Sequence, residues 1–165
     1  MELHLILGPS GSGKSLYAES LAAESGKNLV YLATMVPQNE ENLRRIEKHR
    51  IQRRDKGFRT VECGWQIDEI AVSPGDTVLL EDVSNLLANG IFAHGSSMEE
   101  ALRQIETLAK KCRRLIAVSI EGLLETGYDG ETAAYIRGLN ALNQAPAAHA
   151  ASVTRMENGH PCKIQ

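Results

Sequence analysis

The chain has 165 residues and 18.0 kDa, is 42% hydrophobic and 24% charged, and carries a formal net charge of −3. These values describe one soluble globular domain that can bury a core without disulfides or a structural metal, and they exclude a disulfide-stapled mini-protein. No apolar run approaches the ~20 residues that cross a bilayer, and Leu3 to Leu7 is too short for a signal peptide, so a cytoplasmic protein is expected.

Apolar strand-like runs alternate with helical patterns from end to end, the signature of an α/β domain. Leu3 to Leu7 predicts a strand, Ser15 to Ser25 a helix stopped by Gly26, and Asn28 to Thr34 a second strand, apolar enough for a buried parallel position. Asn39 predicts the cap of a helix running to about Arg54 with Leu43 and Ile46 turned inward. The turn Ser73-Pro74-Gly75-Asp76 precedes a strand from Thr77 to Leu80. Ser97 with Glu100 forms a capping box for a helix to about Arg113, and Leu115 to Ser119 suits an interior strand. A final helix from Glu131 to Ala148 leads into Ser152 to Met156 and Lys163 to Gln165, with Asn158-Gly159 as the hairpin turn. Cys63, Cys112 and Cys162 lie about fifty residues apart without paired spacing, which argues for reduced thiols used in packing rather than a zinc site.

Gly8-Pro9-Ser10-Gly11-Ser12-Gly13-Lys14-Ser15 fits G-x-x-x-x-G-K-[ST] and falls between a predicted strand and a predicted helix, where a phosphate loop belongs. Backbone N–H groups there converge on phosphates at a helix N-terminus, Lys14 adds charge at the β and γ groups, and the Ser15 hydroxyl can ligate Mg2+. A strand ending in an acid is expected nearby to hold the metal or its waters, and Leu79-Leu80-Glu81-Asp82 supplies one, leaving Glu81 and Asp82 as alternatives.

Residues 44 to 59 contain eight Lys or Arg against Glu47 and Asp55. Such a segment on an otherwise acidic chain with 4% aromatic residues points to an anionic small molecule and away from nucleic acid. Within it Arg45, His49 and Arg53 are spaced to share one helix face. Cationic neighbours favour the neutral imidazole whose nitrogen can attack phosphorus, while arginines hold phosphates. Periodicity alone equally describes a solvated charged helix with an incidental histidine.

Taken together, the phosphate loop, Tyr31-Leu32-Ala33-Thr34, the run Arg45-Ile46-x-x-His49-Arg50-x-x-Arg53, Phe58-x-Thr60-x-Glu62, Leu79-Leu80-Glu81 and Asn143-Gln144 resemble one family over nearly the whole chain. It is the bifunctional adenosylcobinamide kinase/adenosylcobinamide-phosphate guanylyltransferase family of vitamin B12 synthesis. The resemblance implies an α/β fold of the P-loop NTPase (RecA-like) type: a mostly parallel sheet, helices on both faces and a short C-terminal antiparallel hairpin. It also implies phosphorylation of adenosylcobinamide with ATP or GTP, followed by transfer of GMP from GTP to the new phosphate. By matching position, His49 is the implied nucleophile. Ala33, Thr34, Met35, Arg50, Ile51, Gln52, Arg53, Glu62 and Glu81 are implied nucleotide contacts beside Gly8 to Ser15. Mg2+ would accompany the nucleotide at Ser15 with Glu81 or Asp82, the partner would be a corrinoid, and relatives assemble as homo-oligomers, implied to be trimers. The chain departs from the family pattern at Pro9 and Gly11 in the loop, where one cation is lost, and at Ile120, which replaces an Asn ahead of Glu121. The alternatives are a single-activity P-loop kinase or guanylyltransferase, and a non-catalytic GTP-binding paralogue.

Overall fold

A computed structural model describes residues 2–165; the side chains of Arg45 and Gln52, both named above, lie outside the described residues. Seven strands form one sheet: β1 (Leu3–Gly8), β2 (Leu29–Ala33), β3 (Phe58–Glu62), β4 (Thr77–Glu81), β5 (Arg114–Ile120), β6 (Ser152–Glu157) and β7 (His160–Lys163). Their order is β3-β2-β4-β5-β1-β6-β7, and every pairing is parallel except the β6–β7 hairpin. The central strands are those with unbroken apolar runs. Leu5, Ile6, Val78, Leu79, Leu80, Leu115 and Ile116 are all essentially inaccessible, as strands covered on both faces must be.

Five helices connect them: α1 (Lys14–Ala23), α2 (Glu40–Arg54), α3 (Val83–Ala88), α4 (Met98–Lys111) and α5 (Gly130–Gln144). Two apolar cores result, one per face. Ala18 and Ala22 of α1 pack with Ile6, Leu79, Ile116 and Val118 on one side. On the other, Leu86 and Leu87 of α3, Ile105 and Leu108 of α4, and Leu139 and Leu142 of α5 pack over Leu5, Leu80 and Leu115. The doubly covered, mostly parallel sheet with its C-terminal hairpin is the fold the sequence predicts.

Capping follows the predicted chemistry at two helices. The Asn39 side chain accepts from the Asn42 N–H at 2.8 Å, and Ser97 accepts from the Glu100 N–H at 3.3 Å. Two local expectations are corrected and a third takes a different form. Leu43 and Ile46 of α2 turn inward, but towards a cavity rather than a packed core, so Leu43 stays 52% exposed and Arg53 is the only buried side chain of α2 among the described residues. The last helix ends at Gln144 and gives way to a 3-10 turn over Pro146–His149, since proline cannot continue the ladder. The final strand begins at His160 rather than Lys163, because Asn158 (φ 49°) and Gly159 (φ 79°) form a two-residue turn that starts pairing at once. Strand β3 and helix α3 are additions to the predicted elements.

No helix among the described residues is long and apolar enough to cross a membrane.

Candidate functional site

In open α/β sheets ligands bind beyond the carboxyl ends of the strands, where connections diverge to opposite sides. Here that region gathers the ends of β1, β2, β3 and β4. The loop from Gly8 to Ser15 leaves β1 and enters α1, with Gly13 at the helix N-cap at φ 86°, a left-handed conformation that favours glycine. Lys14 Nζ donates to Pro9 O at 2.7 Å, so the lysine lies back over its own loop. Burial lowers the Lys14 pKa, opposed by the charges of Glu81, Asp82 and Glu121. The buried Ser12 Oγ has no partner among the described residues.

Ser15 Oγ donates to Glu81 Oε1 at 2.5 Å, joining the first turn of α1 to the end of β4. Burial pushes the Glu81 carboxyl up to about 7, against the lowering effect of the Ser15 bond. Its second oxygen, Oε2, is buried without a partner. A hydroxyl and a half-satisfied carboxylate are hard oxygen donors of the kind Mg2+ takes, so these two residues fit the ion. Asp82, the other acidic candidate, is otherwise engaged. It caps α3, accepting from the Asn85 N–H at 2.7 Å and Ser84 Oγ at 2.6 Å through Oδ1, and from Asn85 Nδ2 at 3.3 Å through Oδ2. Thr34 is fully buried and fixes the same corner, its Oγ1 donating to Asp82 O at 2.8 Å and accepting from the Asp82 N–H at 2.7 Å.

A cavity of about 220 Å³ opens between α2 and the ends of β2, β3 and β4. Ala33 and Met35 line it from β2 and the residues after it, Glu62 from β3, Glu81 from β4, Asp82 from the cap of α3, and His49 and Arg53 from α2. Residues far apart in the chain thus face one space. His49 is exposed at its rim, while Arg53 is only 6% exposed and lays its guanidinium 3.5 Å from the centroid of the Tyr31 ring. The Arg53 Nε is buried without a partner. Of the other basic-helix candidates, Arg50 lies exposed within 3.8 Å of Glu47, and Ile51 points to solvent.

Three participants have no signal in the loop or histidine motifs. Tyr31 supplies the face on which Arg53 rests; burial raises its phenol well above the usual range. Asn89 bridges the ends of β2 and β3, donating to Thr34 O at 2.8 Å and Gly64 O at 2.9 Å. Glu121, directly after β5, pairs with Arg155 of β6.

The model of the CobU family, described as cobinamide kinase / cobinamide phosphate guanyltransferase, matches residues 4–164. The chain is 33% identical over 167 residues to the bifunctional adenosylcobalamin biosynthesis protein CobP of Pseudomonas aeruginosa, covering 98% of this chain and 96% of that one. Among solved structures it is similar to the flagellar accessory protein FlaH from Methanocaldococcus jannaschii. That match has a TM-score of 0.58 and 13% identity, and covers 99% of this chain and 78% of FlaH. A second solved structure, an ATPase domain, aligns with a TM-score of 0.53 and 12% identity, over 93% of this chain and 68% of that one. At such identities the two structures establish the fold alone.

Proposed function

The chain belongs to the cobinamide kinase/cobinamide phosphate guanyltransferase family, and on that premise we propose that it carries out both reactions. It phosphorylates adenosylcobinamide with ATP or GTP, then transfers GMP from GTP to the product through a guanylyl-histidine at His49. The observation that carries this reading is the single cavity lined by His49, Arg53, Glu62 and Glu81, with Glu81 bonded to Ser15 of the phosphate loop.

In the guanylyl transfer the lone pair of an imidazole nitrogen of His49 attacks the α-phosphorus of GTP. A nitrogen–phosphorus bond forms, the bond to the bridging oxygen breaks, and pyrophosphate leaves with the electron pair. An oxygen of the corrinoid phosphate then attacks the same phosphorus and releases His49, giving adenosylcobinamide-GDP. Splitting one exchange into two displacements is the usual gain from a covalent intermediate. Arg53, held on Tyr31 with its Nε unpaired, is positioned to meet phosphate charge, and the loop N–H groups with Lys14 cradle the remaining phosphates. Ser15 and Glu81 would hold Mg2+, which neutralises phosphate charge when bound.

Oligomerisation, a trimer by family resemblance, belongs to the same reading. A cavity of about 220 Å³ lies below the ~300–1,000 Å³ of typical small-molecule sites, so a corrinoid needs further surface. Cytoplasmic residence is proposed with it.

The test is incubation with Mg2+ and GTP labelled at the α-phosphate, followed by denaturing electrophoresis and mass spectrometry of wild type and His49→Ala. An acid-labile, alkali-stable GMP adduct confined to wild type is expected. Wild type that binds GTP yet never becomes labelled would reduce the function to that of a plain P-loop kinase or a GTP-binding paralogue.

A further inference from the structure

Glu121 and Arg155 meet at the root of the phosphate loop. Glu121 follows the last residue of β5, and its N–H donates to Gly8 O at 3.1 Å. Arg155 lies on β6 in register with Leu7 of β1. Since β1 runs between β5 and β6, the two side chains come together from opposite sides of its carboxyl end. They close a two-pronged contact, Arg155 Nε to Glu121 Oε1 at 2.6 Å and Nη2 to Oε2 at 3.2 Å.

Stability does not account for this pair. Arg155 keeps 41% of its side chain exposed and Glu121 20%, and partly exposed ion pairs contribute only ~0–1 kcal/mol. What the pair achieves is orientation. Each carboxylate oxygen accepts one bond from the rigid fork and keeps a second lone pair free.

Position suggests what those lone pairs meet. The charges of Glu81, Asp82 and Glu121 all reach Lys14. Glu81 is taken by Ser15, and Asp82 by Ser84 and Asn85. Glu81 Oε2 is the oxygen set aside for Mg2+, and Glu121, held by Arg155, is the remaining carboxylate that neither caps a helix nor bonds the loop hydroxyl. Strand β5 lies between β1, which carries the loop, and β4, which carries Glu81, so a group seated between Lys14 and Glu81 faces the end of β5.

We propose that Glu121 accepts the hydrogen bond of the acceptor hydroxyl in the phosphorylation step and takes its proton, with Arg155 as a positioning residue. This rests on the kinase half of the reading above. The hydroxyl oxygen forms a bond to the γ-phosphorus, the bond from that phosphorus to the β–γ bridging oxygen breaks, and the nucleoside diphosphate leaves with the electron pair. The proton passes to Glu121 and then to water. Phosphoryl transfer has a loose transition state in which the hydroxyl loses its proton late, so a weak, well-placed carboxylate suffices. Guanylyl transfer has no such need, because its acceptor is a phosphate oxygen already ionised near neutral pH.

The experiment compares cobinamide phosphorylation kinetics with His49 labelling by α-labelled GTP in wild type, Glu121→Gln, Glu121→Asp and Arg155→Met. Glu121→Gln is expected to lower the phosphorylation kcat by about 10²-fold or more, with KM for ATP within about threefold and His49 labelling within about twofold. Glu121→Asp should recover much of the loss, and Arg155→Met should lower kcat with labelling retained. Phosphorylation by Glu121→Gln at close to the wild-type rate would overturn the proposal, as would parallel loss of both activities with a lowered Tm, which marks a structural role. Wild type that is labelled by GTP but never phosphorylates cobinamide would sink the kinase reading and the acceptor role together, a result distinct from failure of the variant alone.

Discussion

The Arg53 guanidinium rests 3.5 Å from the centroid of the Tyr31 ring, so the last turn of α2 is fastened to the middle of β2 by a cation on an aromatic face. Desolvated contacts of this kind contribute ~2 kcal/mol. Arg53→Leu is therefore expected to lower stability by about 1–2 kcal/mol in urea titrations and to weaken labelling of His49 by GTP. Arg53→Lys should restore only part of either, since an ammonium has no planar face to lay on the ring. Full recovery by lysine would mean that charge alone matters here.

Glu81 sets a pH dependence whose sign follows from its burial. Its carboxyl titrates at about 7 in the fold against 4.5 for the free side chain, so the folded state holds the proton more tightly. Stability is thus fully present below pH 4.5, falls as the pH rises towards 7 and is level above it. Glu81→Gln removes the penalty. Without Mg2+, the variant is expected to match wild type near pH 4 and to exceed it at pH 8 by on the order of 3 kcal/mol, while losing nucleotide transfer. Thermal melts across that range would show it.

Asp82 and Glu81 are adjacent but separable. Removing the cap with Asp82→Ala should cost about 1–2 kcal/mol, because the Asn85 N–H and the Ser84 hydroxyl lose their acceptor. The Mg2+ concentration needed for His49 labelling should stay at its wild-type value, whereas Glu81→Gln should raise it. An Mg2+ titration of both variants distinguishes the two roles.

Gly90 lies directly against Trp65. A methyl group there would come within 2.4 Å of the indole ring, so Gly90→Ala must displace Trp65 or the turn after α3. Overpacking of this kind costs about 1–3 kcal/mol. Trp65 is the only tryptophan, so its fluorescence emission should shift along with the lowered urea midpoint.

Sequence pattern carries the parts of this molecule that depend on near neighbours. The loop from Gly8 to Ser15 is legible because its spacing is its mechanism, and the central strands because burial on both faces leaves continuous apolar runs such as Leu115 to Ser119. Caps at Asn39 and Ser97 are legible for the same local reason. Strand β3 is not: it is an edge strand whose Arg59 is exposed and whose Thr60 is half-buried, so no apolar run marks it. Leu43 is half legible, because periodicity puts it on the inward face of α2 but does not say that a cavity rather than a packed core lies beneath. The choice between Glu81 and Asp82 turns on a bond from Ser15, 66 residues away, and the Glu121–Arg155 contact spans 34, distances over which spacing carries no information.

Strand β7 carries Pro161 and Lys163 in only four residues and forms the free antiparallel edge of the sheet. Proline withholds an amide from any incoming strand, and a charged, short margin discourages edge-to-edge growth. A second copy of the chain cannot readily extend the sheet on that side, so the hairpin is a stop that ends the sheet at that margin.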